Sequence, residues 1–140
     1  MRLEKHAESL QEVLDEIDAA LNDKQGVKKH QRRLAMMLSV GICDLIEIYF
    51  HRLGVIKSGA RIKHDWFRQK RIKEKLEQQI IQPIDSITEI HTIMRLAVDI
   101  EKSRDELAYG SPVDEEKLLM EKINQFLELK KIIDHLYEKS

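Results

Sequence analysis

Residues 34–50 read Leu-Ala-Met-Met-Leu-Ser-Val-Gly-Ile-Cys-Asp-Leu-Ile-Glu-Ile-Tyr-Phe, and Ser39, Asp44 and Glu47 are the polar exceptions in an otherwise apolar run. At 3.6 residues per turn this stretch makes a helix that is apolar on nearly every side. Such a helix belongs in the centre of a bundle or at a contact between subunits. Both are expected here, one face on its own bundle and another on a second copy, so the chain is read as a homodimer. The most apolar part, residues 34–43, is about half of the roughly 20 residues a membrane helix needs, and no membrane partner is expected.

Other helices follow from periodicity. A first helix is expected over residues 3–21, where Leu3, Ala7, Leu10, Val13, Leu14, Ile17 and Leu21 recur at helical spacing and Glu4, Glu8, Glu12 and Glu16 line the outside. Gly26 is its candidate C-cap. The apolar helix should span residues 28–53, followed by a loop over 54–60 and a basic amphipathic helix over 63–81. Pro83 should restart a helix that runs to residue 108. Gly110-Ser111-Pro112 marks a junction, with Ser111 as N-cap, Pro112 in the first turn and Asp114 at the capping-box position of a last helix ending near residue 137. No strand pattern competes. The expected fold is all-α, an up-and-down bundle of four main helices plus a shorter one, in a single domain over residues 1–140.

Five glycines and two prolines in 140 residues fit that class. A net charge of -1 argues against a protein that coats nucleic acid through overall charge. The lone Cys43 offers no intramolecular disulfide and the first residues carry no apolar leader, so a cytoplasmic location is expected.

Three groups of residues bear on chemistry. In the first, Arg104 falls within the stripe Ile90, Ile93, Ala97, Ile100, Leu107, Ala108, where an apolar residue would be expected. Arginine is almost never fully buried without a partner. It should therefore meet a carboxylate, with Asp44 or Glu47 as candidates, or point into a polar cleft. In the second, Asp44, Glu47 and His51 lie within roughly 80° on one helix face. They could hold a metal, pair with Arg104 to build that cleft, or form a polar seam at a dimer contact. The spacing counts against a di-iron bundle, which needs Glu-x-x-His, because Glu47 to His51 is one residue too long. The third is the basic run Arg61, Lys63, Arg68, Lys70, Arg71, Lys73 and Lys75, with His64, Trp66 and Phe67 inside it. Cations beside aromatics can hold phosphates and stack bases, although Trp66 is equally suited to anchor a core and the charges to face solvent. Of the remaining histidines, His91 lies near the apolar stripe and is expected to be a satisfied core residue. No cofactor motif is present, and neither a cofactor nor a metal is expected.

The segment Arg104-Asp105-Glu106-Leu107-Ala108-Tyr109, followed by Gly110-Ser111-Pro112-Val113 and by Phe126-Leu127-Glu128-Leu129-Lys130, resembles the HEPN family (higher eukaryotes and prokaryotes nucleotide-binding domain). Members are small helical bundles whose late helix carries Arg, four to six residues, then His, often with a polar residue directly after the Arg. Arg104 matches the Arg and Asp105 the polar position; Tyr109 takes the place of the His. The resemblance implies a cleft for a nucleotide or an RNA phosphate, with Arg104 and Tyr109 in the catalytic positions and Asp105 or Asp44 orienting Arg104. It also implies a minimal nucleotidyltransferase as partner in a toxin–antitoxin-like pair. A phenol with a pKa of about 10 does not exchange protons near neutral pH as imidazole does. Tyr109 therefore favours binding over metal-independent RNA cleavage. Two alternatives stand beside that expectation: an active ribonuclease in which another group replaces the His, and a structural interaction bundle without ligand.

Overall fold

The computed structural model describes residues 3–109 and 112–139, and of residues 112–115 and 139 only the backbone. The chain is all-α. Its helices are α1 (Leu3–Leu21), α2 (Gln31–Leu53), α3 (Ile72–Glu77), α4 (Ile90–Lys102), α5 (Arg104–Tyr109) and α6 (Pro112–Lys139), with 3-10 turns at Val27–His30, His64–Arg68 and Ile84–Ser86. Four helices are long, and α2 packs against α1, α4, α5 and α6.

The central helix lies where its composition requires. Fifteen of its residues are buried, among them Leu34, Leu38, Ile42, Leu45, Ile46, Tyr49 and Phe50. The stretch Val27–Leu53 is apolar and long enough to cross a membrane, but 78% of its most apolar window is covered by the bundle itself. The large apolar residues of α2 left exposed are Met36, Val40 and Leu53. Most of the apolar surface that suggested a second subunit is thus covered within the chain. One position permits the closeness of this packing. A Cβ on Gly41 would stand 2.6 Å from the Phe126 ring of α6 and 3.3 Å from Val13 of α1. Gly41 is where three helices meet.

Helix α1 has the expected bounds but a shifted stripe. Its buried residues are His6, Val13, Ile17 and Ala20, whereas Leu3 and Leu21 are exposed. Gly26 adopts φ 93° in the turn before Val27–His30 rather than capping α1. Gly54 ends α2 in the left-handed conformation.

Two expected helices are corrected. Residues 63–81 do not form one helix: a 3-10 turn at His64–Arg68 and the six-residue α3 take its place. The buried anchors Phe67 and Leu76 are nine residues apart, on opposite sides of a continuous helix, so one helix could not bury both. After α3 the chain extends, and Ile56 pairs antiparallel with Ile80 through the bonds Lys57 N–H to Gln79 O (2.9 Å) and Ile81 N–H to Val55 O (2.8 Å). The helix expected from Pro83 begins at Ile90 instead. Ile84, Ile87, Ile90 and Ile93 are all buried, a three-residue spacing that suits a 3-10 turn better than an α-helix. Glu89, at φ 60°, redirects the chain into α4. That helix breaks at Ser103, and α5 starts at Arg104. Capping by Ser111 and Asp114 lies outside the described residues.

Candidate functional site

Asp44 and Glu47 sit one turn apart on α2, and α1 brings His6 between them. His6 Nδ1 donates to Asp44 Oδ1 at 2.9 Å, and its Nε2 lies 2.9 Å from Glu47 Oε2, off the line of the N–H. All three side chains are more than nine-tenths buried. Burial alone would push the His6 pKa down. The hydrogen bond to Asp44 and the close contact with Glu47, together with the charges of both, outweigh burial and raise it to about 9. His6 is therefore an imidazolium at neutral pH, held by two carboxylates. The His51 ring stands 6.1 Å from that of His6, centroid to centroid, and its Nε2 is buried without a hydrogen bond, as is Asp44 Oδ2.

This arrangement decides which sequence expectation holds for Asp44 and Glu47. Their cation is His6, not Arg104. The sequence did carry a signal, since His6 lies four residues before Leu10 and seven before Val13, in register with the buried face of α1. Among the described residues no group of three or more His, Cys, Asp or Glu is arranged to hold a metal ion. Cys43 is buried beside this cluster. Burial, and then the charges of Glu47, Glu101, Asp44 and Asp65, push its thiol pKa far up and disfavour the thiolate.

Over the cluster lies an open cleft of about 1030 Å³. One wall is α2 with Val40, Cys43, Asp44 and Glu47; the other is residues 59–65, including Arg61, Lys63 and His64. Glu47 ties the walls together, its Oε1 accepting the Ile62 N–H at 3.3 Å.

A file of charged contacts leads from His64 out of this cleft to Arg104. His64 Nδ1 lies 2.6 Å from Glu101 Oε1. Glu101, whose side chain is fully buried on α4, also accepts the Ser39 hydroxyl at 2.9 Å. Arg68 Nη2 approaches Glu101 at 3.5 Å, and the Arg68 guanidinium grips Asp105 with both ends, at 3.0 and 3.2 Å. Asp105 in turn accepts from Arg104 Nη1 at 3.3 Å. Glu101 organises this file and was not singled out in the sequence, because at that position an acid resembles one more exposed charge at a helix end.

Arg104 is four-fifths buried, its Nε has no partner, and Asp105 is its ion-pair partner. Tyr109, at the far end of α5, is 70% exposed. The α4–α5 break does not bring the two side chains into contact. The last turn of α5 is fastened to the start of α2: Gln31 Nε2 donates to Leu107 O at 2.9 Å and Arg32 Nε to Ala108 O at 3.1 Å. These bonds occupy carbonyls that a helix end leaves open. His91, expected in the core, is exposed and pairs with Asp85 at 3.2 Å. Trp66 is half-buried against the core, with Lys75 Nζ 5.4 Å from its ring centre.

Compared with family models, with curated proteins and with solved structures, the chain gives no match.

Proposed function

We propose that the protein binds a phosphate-bearing ligand, a nucleotide or an RNA phosphate, in the region that runs from the cleft between α2 and residues 59–65 to Arg104. The observation that carries this reading is the file His64–Glu101–Arg68–Asp105–Arg104, which links a cleft wall to an arginine with spare donors. A cleft of about 1030 Å³ is at the upper end of the roughly 300–1000 Å³ typical of small-molecule sites. In this reading Arg104 holds phosphate through its planar fork, Asp105 orients it, and exposed Tyr109 contacts the ligand. Asp44, Glu47 and His6 line the floor of the cleft, and the His51 ring stands behind that of His6. The role is binding; the HEPN resemblance supplies the ligand class, and with it the nucleotidyltransferase partner. A second copy of the chain belongs to the same proposal, and exposed Met36 and Val40 are where α2 leaves apolar surface for it.

The test is a thermal-shift and calorimetric titration with nucleotides and short RNAs, on the wild type and on Arg104→Ala. Ligand-dependent stabilisation should appear in the wild type and weaken at least about tenfold in the variant, which corresponds to about 1.4 kcal/mol. The melting temperature of the free variant should stay close to that of the wild type. No response to any ligand, with a large drop in the variant's melting temperature, would instead favour the ligand-free interaction bundle.

A further inference from the structure

We infer that residues 57–70 form a docking strip for the phosphodiester backbone of a polynucleotide, so that the site takes a strand rather than a free nucleotide. Over residues 57–75 the chain carries eight Lys and Arg against two acids, Asp65 and Glu74, while the whole chain has a net charge of -1. The positive charge is therefore local, and the rest of the molecule offsets it.

Composition alone would leave a solvated face. The pairing in the structure separates the cations into two kinds. Arg68 pairs with Asp105 and Glu101, Arg71 with Glu74, Lys73 with Asp85, and Lys75 stands over the Trp66 ring. Lys57, Arg61, Lys63 and Lys70 are exposed and enter no ion pair among the described residues. An exposed cation paired with an acid has its charge partly compensated; these four have no such pair among the described residues.

The backbone of three of them, Lys57, Arg61 and Lys63, is held in place by hydrogen bonds. The Lys57 N–H is bonded to Gln79 O and the Arg61 N–H to Gln79 Oε1 at 3.1 Å, which fastens both to the extended stretch after α3. The Trp66 N–H is bonded to Lys63 O at 3.2 Å. Arg61 and Lys63 also line the cleft. Two of the four cations thus line the cleft, and the other two, Lys57 and Lys70, lie outside its lining. A mononucleotide can occupy the cleft but offers nothing to Lys57 or Lys70. Repeating phosphates satisfy both. This inference rests on the phosphate-ligand reading and narrows it to a substrate class.

Counterion release gives the test a number. Four phosphate contacts to a single strand imply a slope of about -2.8 in log affinity against log salt, which is a weakening of about 50-fold between 50 and 200 mM. Fluorescence anisotropy with labelled 20-nucleotide RNA and DNA strands reads it. Lys57→Ala/Lys70→Ala should halve the slope, to a weakening of about sevenfold over the same range, and should leave mononucleotide binding unchanged. Comparable affinity for both strands assigns the recognition to the shared phosphodiester; a preference for RNA adds a contact to the 2′-hydroxyl. Binding of RNA no tighter than a mononucleotide, or a slope the double variant does not change, overturns the strip. So does lysine-dependent binding to phosphatidylserine vesicles without strand binding, or salt-sensitive self-association that uses the same lysines. If strands bind with the stated slope but Arg104→Ala changes nothing, the strip stands and the assignment of Arg104 falls. If mononucleotides bind through Arg104 but strands gain nothing, the reverse holds.

Discussion

His6 shows how a single residue far from the motif can govern the cluster nearest the cleft. Removing one partner from a buried charged group costs about 3–5 kcal/mol, so His6→Ala should destabilise the protein by that order at pH 7. The pH dependence has a definite sign. The folded pKa of about 9 lies above the ordinary imidazole value of 6.5, so the folded state holds a proton that the unfolded chain releases. The stabilisation is complete below pH 6.5 and is lost as pH rises through 9. NMR of the His6 ring should find its titration midpoint near pH 9, and Asp44→Asn should move that midpoint down. A midpoint near 6.5 in the wild type would mean that the carboxylates do not hold an imidazolium. His30 repeats the pattern in a half-buried place: Glu16 and then Asp23 raise its pKa, and so join α1 to the turn that leads into α2.

At the scale of elements, Gly41 tests whether packing or helix propensity decides. Glycine inside a helix is usually worse than alanine by roughly 1 kcal/mol. Here an added Cβ would meet a fully buried aromatic ring at 2.6 Å, and overpacking costs about 1–3 kcal/mol. Gly41→Ala should therefore lower stability by about that much in chemical denaturation, and Phe126→Leu in the same chain should recover part of the loss. Stabilisation by the single substitution would show that α2 and α6 can separate freely. The same elements show where periodicity could be trusted. It placed α1 and α2 well, because long helices with dense apolar residues leave few alternatives. It failed over residues 63–90, where burial is set by isolated anchors such as Phe67 and by the Ile84–Ile87–Ile90 spacing, both tertiary matters. The carboxylate–histidine face of α2 was legible as a constellation. Its partner was not, because nothing local says that α1 will present His6 rather than α4–α5 presenting Arg104.

Seen whole, the molecule is a bundle built around one helix, with polar groups gathered in a band that crosses it. His6, Asp44, Glu47, Ser39 and Glu101 are all buried, and they belong to α1, α2 and α4. The band reaches the surface at the cleft, beside the uncompensated cations of residues 57–70. Inside that band is a sulfur atom that should report on its surroundings. Cys43 is buried in the cleft wall and kept as a thiol by burial and by four nearby carboxylates. With so little of it exposed on the cleft wall, the sulfur should resist alkylation, and reaction with a maleimide should proceed mainly when that wall opens. The labelling rate becomes a stopwatch for those openings. At a fixed reagent reactivity it should quicken in His6→Ala and slow when a ligand fills the cleft. Equal rates in the wild type, the variant and the ligand-bound protein would mean that the sulfur is reached by some route other than the parting of α1 from α2.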